Sequence, residues 1–307
     1  MVLIFNSVDD IKLDSTGKTD CSATLQTFIA KYPAGNYEIT FSKGTYLFTS
    51  TVTFANLGNV KIGGMDSPII NFVSSTDSSL FIFNNASASW LMWINFYSKS
   101  LVTKTMSNSF ITITNSNNFT ISGCNFYVNQ TFANNGSLVY VSGGSNVYIQ
   151  SNYLSGNGLY LYGVNGKSTD TLSVLYNTIY SIMGPAVNAT GTDDVIISNN
   201  TCKLCSLNFS SSICTNGLAR GSISHNTIVG NELNYGILIN TNTTSSGITF
   251  NDVSGCSNGI MICSASGNTI ENNCIHNNNI GIEANNHSNT IVNNVCYDNN
   301  DNSIVYI

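Results

Sequence analysis

VIISNN (195–200) and GSISHN (221–226) carry one device: an aliphatic residue followed three places later by Asn. Outward from them, VYIQSN (147–152), LSVLYN (172–177), GITFN (247–251), TIENN (269–273) and TIVNN (290–294) repeat it. The anchors Asn152, Asn177, Asn200, Asn226, Asn251, Asn273 and Asn294 lie 25, 23, 26, 25, 22 and 21 residues apart. Short strand-like pieces and turn residues recurring at a period of about 20–26 residues form the pattern of a β-solenoid. Equivalent residues of successive coils then stack about 4.8 Å apart. An Asn kept at one turn position can bond the Asn above and below it. The expected fold is all-β, a single-stranded parallel β-helix, regular from about residue 145.

Composition agrees with one elongated body. Asn supplies 47 of 307 residues, charged residues are only 8% and hydrophobic residues 42%. Disorder wants the reverse, few apolar residues and high charge. A net charge of −6 with one arginine, Arg220, excludes a phosphate-binding surface and so a nucleic-acid partner. No apolar run approaches the roughly 20 residues of a membrane span. The start, MVLIFNSVDDIKLD, lacks a basic segment followed by a long apolar one, so no signal peptide is visible. An outward-facing composition without a leader fits either a chain deprived of its leader or a virion component. The expected location is therefore a virion surface or the extracellular space.

Nine cysteines raise the question of metal or disulfides. Cys202 and Cys296 sit two places after their anchor Asn, where other coils place Ile228, Val253 and Ile275. That register makes them buried small hydrophobes, with a Cys202–Cys205 disulfide or a pair between neighbouring coils as the alternative. His225, His276 and His287 fall in different coils with no matching cysteine pair, so no zinc site is expected.

Residues 1–35 read differently. A polar start at Thr19–Ser22, apolar Leu25, Phe28, Ile29 and Tyr32 on one face, and the stop at Pro33 and Gly35 spell a short helix. A solenoid end exposes apolar cross-section and open strand edges, which such a helix caps. Asp9, Asp10, Asp14 and Asp20 are expected to serve its N-terminal electrostatics. Three strand-like runs follow in NYEITFSKGTYLFTSTVTF (36–54), broken at Lys43-Gly44. The pairing of GKTDCSATLQ (17–26) with FSKGTYLF (41–48) resembles the N-terminal signature of the pectate-lyase-like right-handed β-helix superfamily, which includes phage tailspikes and polysaccharide lyases. The resemblance implies a right-handed coil, with residues 1–35 as the cap and 36–307 as the β-helix.

Between 56 and 145 the coils are less regular, with Asn71, Asn95 and Asn125 as expected early members of the Asn column. Alternation in WLMWINF (90–96) puts Trp90, Met92 and Ile94 on one face and Leu91, Trp93 and Asn95 on the other. The aromatic residues there, Trp93 and Tyr97 among them, either stack inside a wide coil or present a face to a sugar. The coils shorten after 258, and the last strand-like piece runs to Ile307. An apolar end there is expected to meet a partner, through self-association or docking, or to be closed by a short cap.

Chemistry on a β-helix is expected from acids that share a register across coils. Asp170 and Asp193 each lie seven places before an anchor Asn, while Asp194 and Arg220 lie six before theirs. Glu232, Asp252, Glu271 and Glu283 fall at differing offsets and read as solitary. The Asp170, Asp193, Asp194 and Arg220 column admits three readings: a shared-proton acid–base pair, a Ca²⁺ site, or a turn column with Asp194 paired to Arg220. The phrase GTDD (191–194) resembles the paired-aspartate segment of polygalacturonase-type hydrolases, whose Asn-Thr-Asp, Gly-His-Gly and Arg-Ile-Lys motifs are absent. The functional expectation is an exposed spike- or adhesin-like β-helix recognising a cell-surface glycan or another surface partner. A polysaccharide depolymerase, either lyase or glycoside hydrolase, and a purely structural fibre are the alternatives.

Overall fold

The computed structural model describes residues 2–73, 79–99, 109–129, 136–156, 161–206, 211–285, 288–301 and 304–306; His287 and Ile307 lie outside them. Each full coil contributes three short parallel strands, stacked into sheets of 12, 12 and 11 strands, here A, B and C. Sheet A runs from Leu3–Asn6 to Thr290–Val292, sheet B from Thr16–Asp20 to Val295–Tyr297, and sheet C from Val52–Ala55 to Ile304–Tyr306. The segment before residue 36 thus already supplies strands: Leu3–Asn6 pairs in register with Tyr37–Thr40. The helix Ser22–Lys31 buries Leu25, Phe28 and Ile29, with Phe28 edge-on to Phe5 at 4.8 Å and to Tyr37 at 5.7 Å.

Period-2 alternation sends every second strand residue inward. The early coils are filled with phenylalanine, stacked rung on rung: Phe54 on Phe83 at 4.8 Å, and Phe96 on Phe126 at 4.9 Å. Later coils use Ile and Val, as in the buried run Val174, Ile197, Ile223 and Ile248. All nine cysteines are free thiols, so Cys202 and Cys205 form no disulfide. Cys202 stacks between Ile179 and Ile228, completely buried.

The anchor asparagines lie inside the corner between sheets A and B. At Asn200 the side-chain oxygen accepts from Asn177 N at 2.9 Å and Asn177 Nδ2 at 3.0 Å. Its Nδ2 donates to Val174 O at 2.8 Å and to Asn226 Oδ1 at 3.0 Å. Both donors and both acceptor sites of the amide are therefore used, which is why an uncharged amide survives 1% exposed. The chain of bonds runs from Asn152 to Asn294. Earlier coils place Cys124 in that register, where its N–H donates to Asn152 Oδ1. Asn71, Asn95 and Asn125 are accordingly not members: they stand on the strands of sheet B, and Asn125 Nδ2 bonds Asn95 Oδ1 outside at 2.7 Å. Two shorter Asn runs stiffen the other corners of the last coils, Asn268 to Asn289 and Asn278 to Asn299.

Candidate functional site

The residue just before each anchor turns the corner with positive φ. Ser151, Asn199, Asn272 and Asn293 hold it at 55°, 56°, 56° and 54°, and Gly123 at 64°. Asn and Gly suit this left-handed region, whereas bulky side chains are strained in it. Yet the same position is filled by Trp93, Tyr176, His225 and Phe250 at 55–57°. Their rings point outward: Trp93 is 59% exposed, Tyr176 62% and Phe250 54%. His225 stacks on Phe250 with centroids 5.1 Å apart. Gly123 is required twice, for its φ and because a Cβ there would sit 2.6 Å from Trp93 Cδ1.

The corner also corrects the face assignment of WLMWINF. Leu91 and Ile94 are fully buried, while Trp90, Met92 and Trp93 face out. Simple alternation fails because the left-handed turn at Trp93 resets the phase between two strands. Beyond it, Tyr97 and Tyr127 are in register on the outer face of sheet B, rings stacked at 4.8 Å, with Tyr153 tilted 5.4 Å further along. Burial and then the neighbouring phenols Tyr97 and Tyr153 push the Tyr127 hydroxyl above its usual pKa. Exposed Tyr180 lies two rungs beyond Tyr127 in the same column. Next to Tyr97 a shallow depression of about 360 Å³ is lined by Thr45, Ile69 and Asn71. In the sequence Trp93 and Tyr97 stand out, whereas Tyr127, Tyr153, Tyr176 and Tyr180 do not. The thirty-residue echo of NFY at 95–97 and 125–127 was the available signal.

The acidic column lies elsewhere, at the corner where sheet A begins. Asp194 N donates to Asp170 O and Arg220 N to Asp193 O, so Asp170 and Asp193 occupy consecutive rungs, both exposed. Asp194 stacks on Arg220, which clasps it with two bonds, Nε to Oδ1 at 2.7 Å and Nη2 to Oδ2 at 3.1 Å. The Arg220 hydrogen bond holds the Asp194 carboxyl below its ordinary pKa. Asp194 is thus a paired carboxylate. Asp170 stands three rungs beyond Trp93, roughly 14 Å along the axis, and at the opposite end of the sheet A strands. The two sets of candidate residues do not converge.

Near the cap, Asp14 accepts bonds from Thr16, Lys18 and Thr19. Asp20 accepts from Ser22 and Thr49. These acids brace turns, and the first helical turn itself carries no acid. Asp252, read as solitary, meets His276 Nε2 at 3.0 Å.

Residues 35–245 and 162–307 match the family model described as the right handed beta helix region. No curated protein matches the chain. Among solved structures it is similar to the Dettilon tailspike protein, with TM-score 0.73 and 14% identity over 98% of this chain and 68% of that one. It is also similar to an exopolygalacturonase from Thermotoga maritima, with TM-score 0.68 and 10% identity over 99% and 90%. A third likeness is to PfbA, a surface adhesin of Streptococcus pneumoniae, with TM-score 0.60 and 14% identity over 99% and 91%. At such identities these likenesses establish the shared fold. Among the described residues no helix is long and apolar enough to cross a membrane.

Proposed function

The chain belongs to the right-handed β-helix family, and from that premise we propose that it is an exposed virion- or cell-surface β-helix that recognises carbohydrate. The observation that carries this reading is the set of exposed rings at strained corner positions. Strain of order 1–3 kcal/mol per residue persists where a site requires it, and Asn or Gly would relieve it at Trp93, Tyr176 and Phe250. Aromatic faces pair an apolar surface with a polar tip, which suits the alternating C–H and hydroxyl faces of a sugar. The rung spacing of about 4.8 Å is comparable with the rise of one sugar residue in an extended glycan. Tyr97 and Tyr127, stacked on each other, would therefore meet neighbouring units with their outward edges and hydroxyls, while the Asn, Ser and Thr around them offer donors and acceptors to hydroxyls. The similar tailspike and surface adhesin support an outward location.

Asp170 and Asp193 favour a second reading, a depolymerase. They stand one rung apart, near the ~5 Å carboxylate separation of retaining glycosidases. One experiment separates the two. Incubate the chain with acidic polysaccharides and envelope glycans, with and without EDTA, and follow reducing ends and unsaturated products. Recognition alone gives retention on one glycan without new ends. Turnover abolished in Asp193→Asn replaces it with the depolymerase, and neither retention nor turnover leaves a structural fibre.

A further inference from the structure

On the outer face of sheet B, in the last coils, the stacking register assembles three residues that the sequence scatters. Asp252 and Cys274 are Cα partners on adjacent strands. Ile275 points into the core, so Cys274 and His276, two places apart, share the outer face. Their ligand atoms and that of Asp252 all lie within 4.8 Å of one another, and this is the single such group of three among the described residues. We propose that Asp252, Cys274 and His276 form a binding site for a zinc-type divalent transition metal.

The donor set selects the ion. A thiolate, an imidazole and a carboxylate are the mixed S, N and O ligands of Zn²⁺ and its Co²⁺ analogue. Ca²⁺ and Mg²⁺ want oxygen alone. Four-coordinate zinc takes N and O at about 2.0 Å and S at about 2.3 Å. A tetrahedral site with those bond lengths has ligand–ligand edges of about 3.3–3.6 Å, so donor atoms that already lie within 4.8 Å of one another need only draw closer by a short distance. The fourth position faces solvent, open to water or to a donor from a partner molecule.

The surroundings already orient the imidazole. Tyr297 stacks flat on His276, centroids 4.9 Å apart and planes within 6°. On the far side, Asn277 Nδ2 meets His276 Nδ1 at 2.7 Å. A half-turn of that amide presents its oxygen to Nδ1–H and leaves the Nε2 lone pair free for the metal, the usual outer support of a metal-bound histidine. Binding releases the Cys274 thiol proton to solvent as the S–metal bond forms. The ion ties one coil, through Asp252, to the next, through Cys274 and His276.

The test is titration of the purified full chain with ZnCl₂ by calorimetry and with Co²⁺ by absorption. Expected are one ion per chain, a raised melting temperature, and a near-ultraviolet thiolate-to-cobalt band. Cys274→Ser removes the band, Cys214→Ser leaves it, and His276→Gln and Asp252→Asn each weaken binding at least tenfold. All three ligands face outward, so the variants keep the fold, which circular dichroism verifies; should one misfold, the other two decide. No saturable binding, affinity unchanged in the His276 and Asp252 variants, or a cobalt band that survives Cys274→Ser overturns the site.

Discussion

Tyr176 holds φ at 55° with its ring in solvent, a conformation that Asn accepts and an aromatic residue resists. Tyr176→Asn should therefore raise stability by about 1 kcal/mol, read as a shift in denaturant midpoint, while weakening glycan retention. Asn200 behaves in the opposite sense. Removing its amide leaves the buried Asn177 N–H without its acceptor, takes one of the two bonds of Asn177 Nδ2, which keeps Ile149 O, and takes a donor from the carbonyl of Val174. Asn200→Ala should cost about 3 kcal/mol in equilibrium unfolding, and Asn200→Asp should not rescue it, since a carboxylate offers no donor to Asn226 Oδ1. At this scale the sequence was half legible. The anchor Asn is visible as an aliphatic-x-x-Asn phrase, but its neighbour's positive φ is not. That conformation shows only when Gly123, Asn199, Asn272 and Asn293 are aligned with Tyr176 and Phe250 in one column. One acid is hard to place for a similar reason: Asp252 looks solitary in the sequence because its partner His276 lies 24 residues away, on the next rung.

At the level of elements, the cap illustrates what helix signals do and do not tell. The apolar spacing of Leu25, Phe28 and Ile29 gives the helix and its buried face correctly. The role of Asp20 was less accessible, because it accepts from Thr49 as well as Ser22 and so ties the helix start to the end of a sheet B strand. Burial pushes the Asp20 carboxyl up, but the Ser22 and Thr49 hydrogen bonds outweigh it and leave the pKa below the ordinary value. A depressed folded-state pKa contributes stability that is present above the unfolded value and lost as pH falls through the folded one. Melting temperature should therefore decline as the pH drops below about 4, and more shallowly in Asp20→Asn. At neutral pH Asp20→Ala should cost about 1–2 kcal/mol, as for a lost helix cap. Strand alternation served well inside single strands and failed at WLMWINF, where one phrase spans a corner.

For the whole molecule, the 21–26 residue period was enough to set the axis, the coil and the stacking of equivalent residues, because a solenoid is defined by its neighbour contacts. The outer surface was harder to read, since its columns combine residues from many coils. Thiol accessibility checks the coil as a body. Cys21, Cys124, Cys202, Cys205 and Cys256 are buried, and burial pushes Cys124, Cys205 and Cys256 to about 12. At pH 8 at most four thiols should react with an aromatic disulfide reagent in the native chain, and all nine after denaturation. Five or more reacting natively would contradict the stacked core. The claim of carbohydrate recognition rests on the ring-bearing corner and the sheet B face beside it. Its most direct measurement is affinity electrophoresis in gels loaded with the glycan that retains the native chain, comparing it with Trp93→Gly/Tyr97→Ala/Tyr127→Ala and with Asp193→Asn. The expected result is retardation lost in the triple variant, with its fold intact, and kept in Asp193→Asn. Retardation that survives the triple variant, or disappears with Asp193 alone, contradicts it.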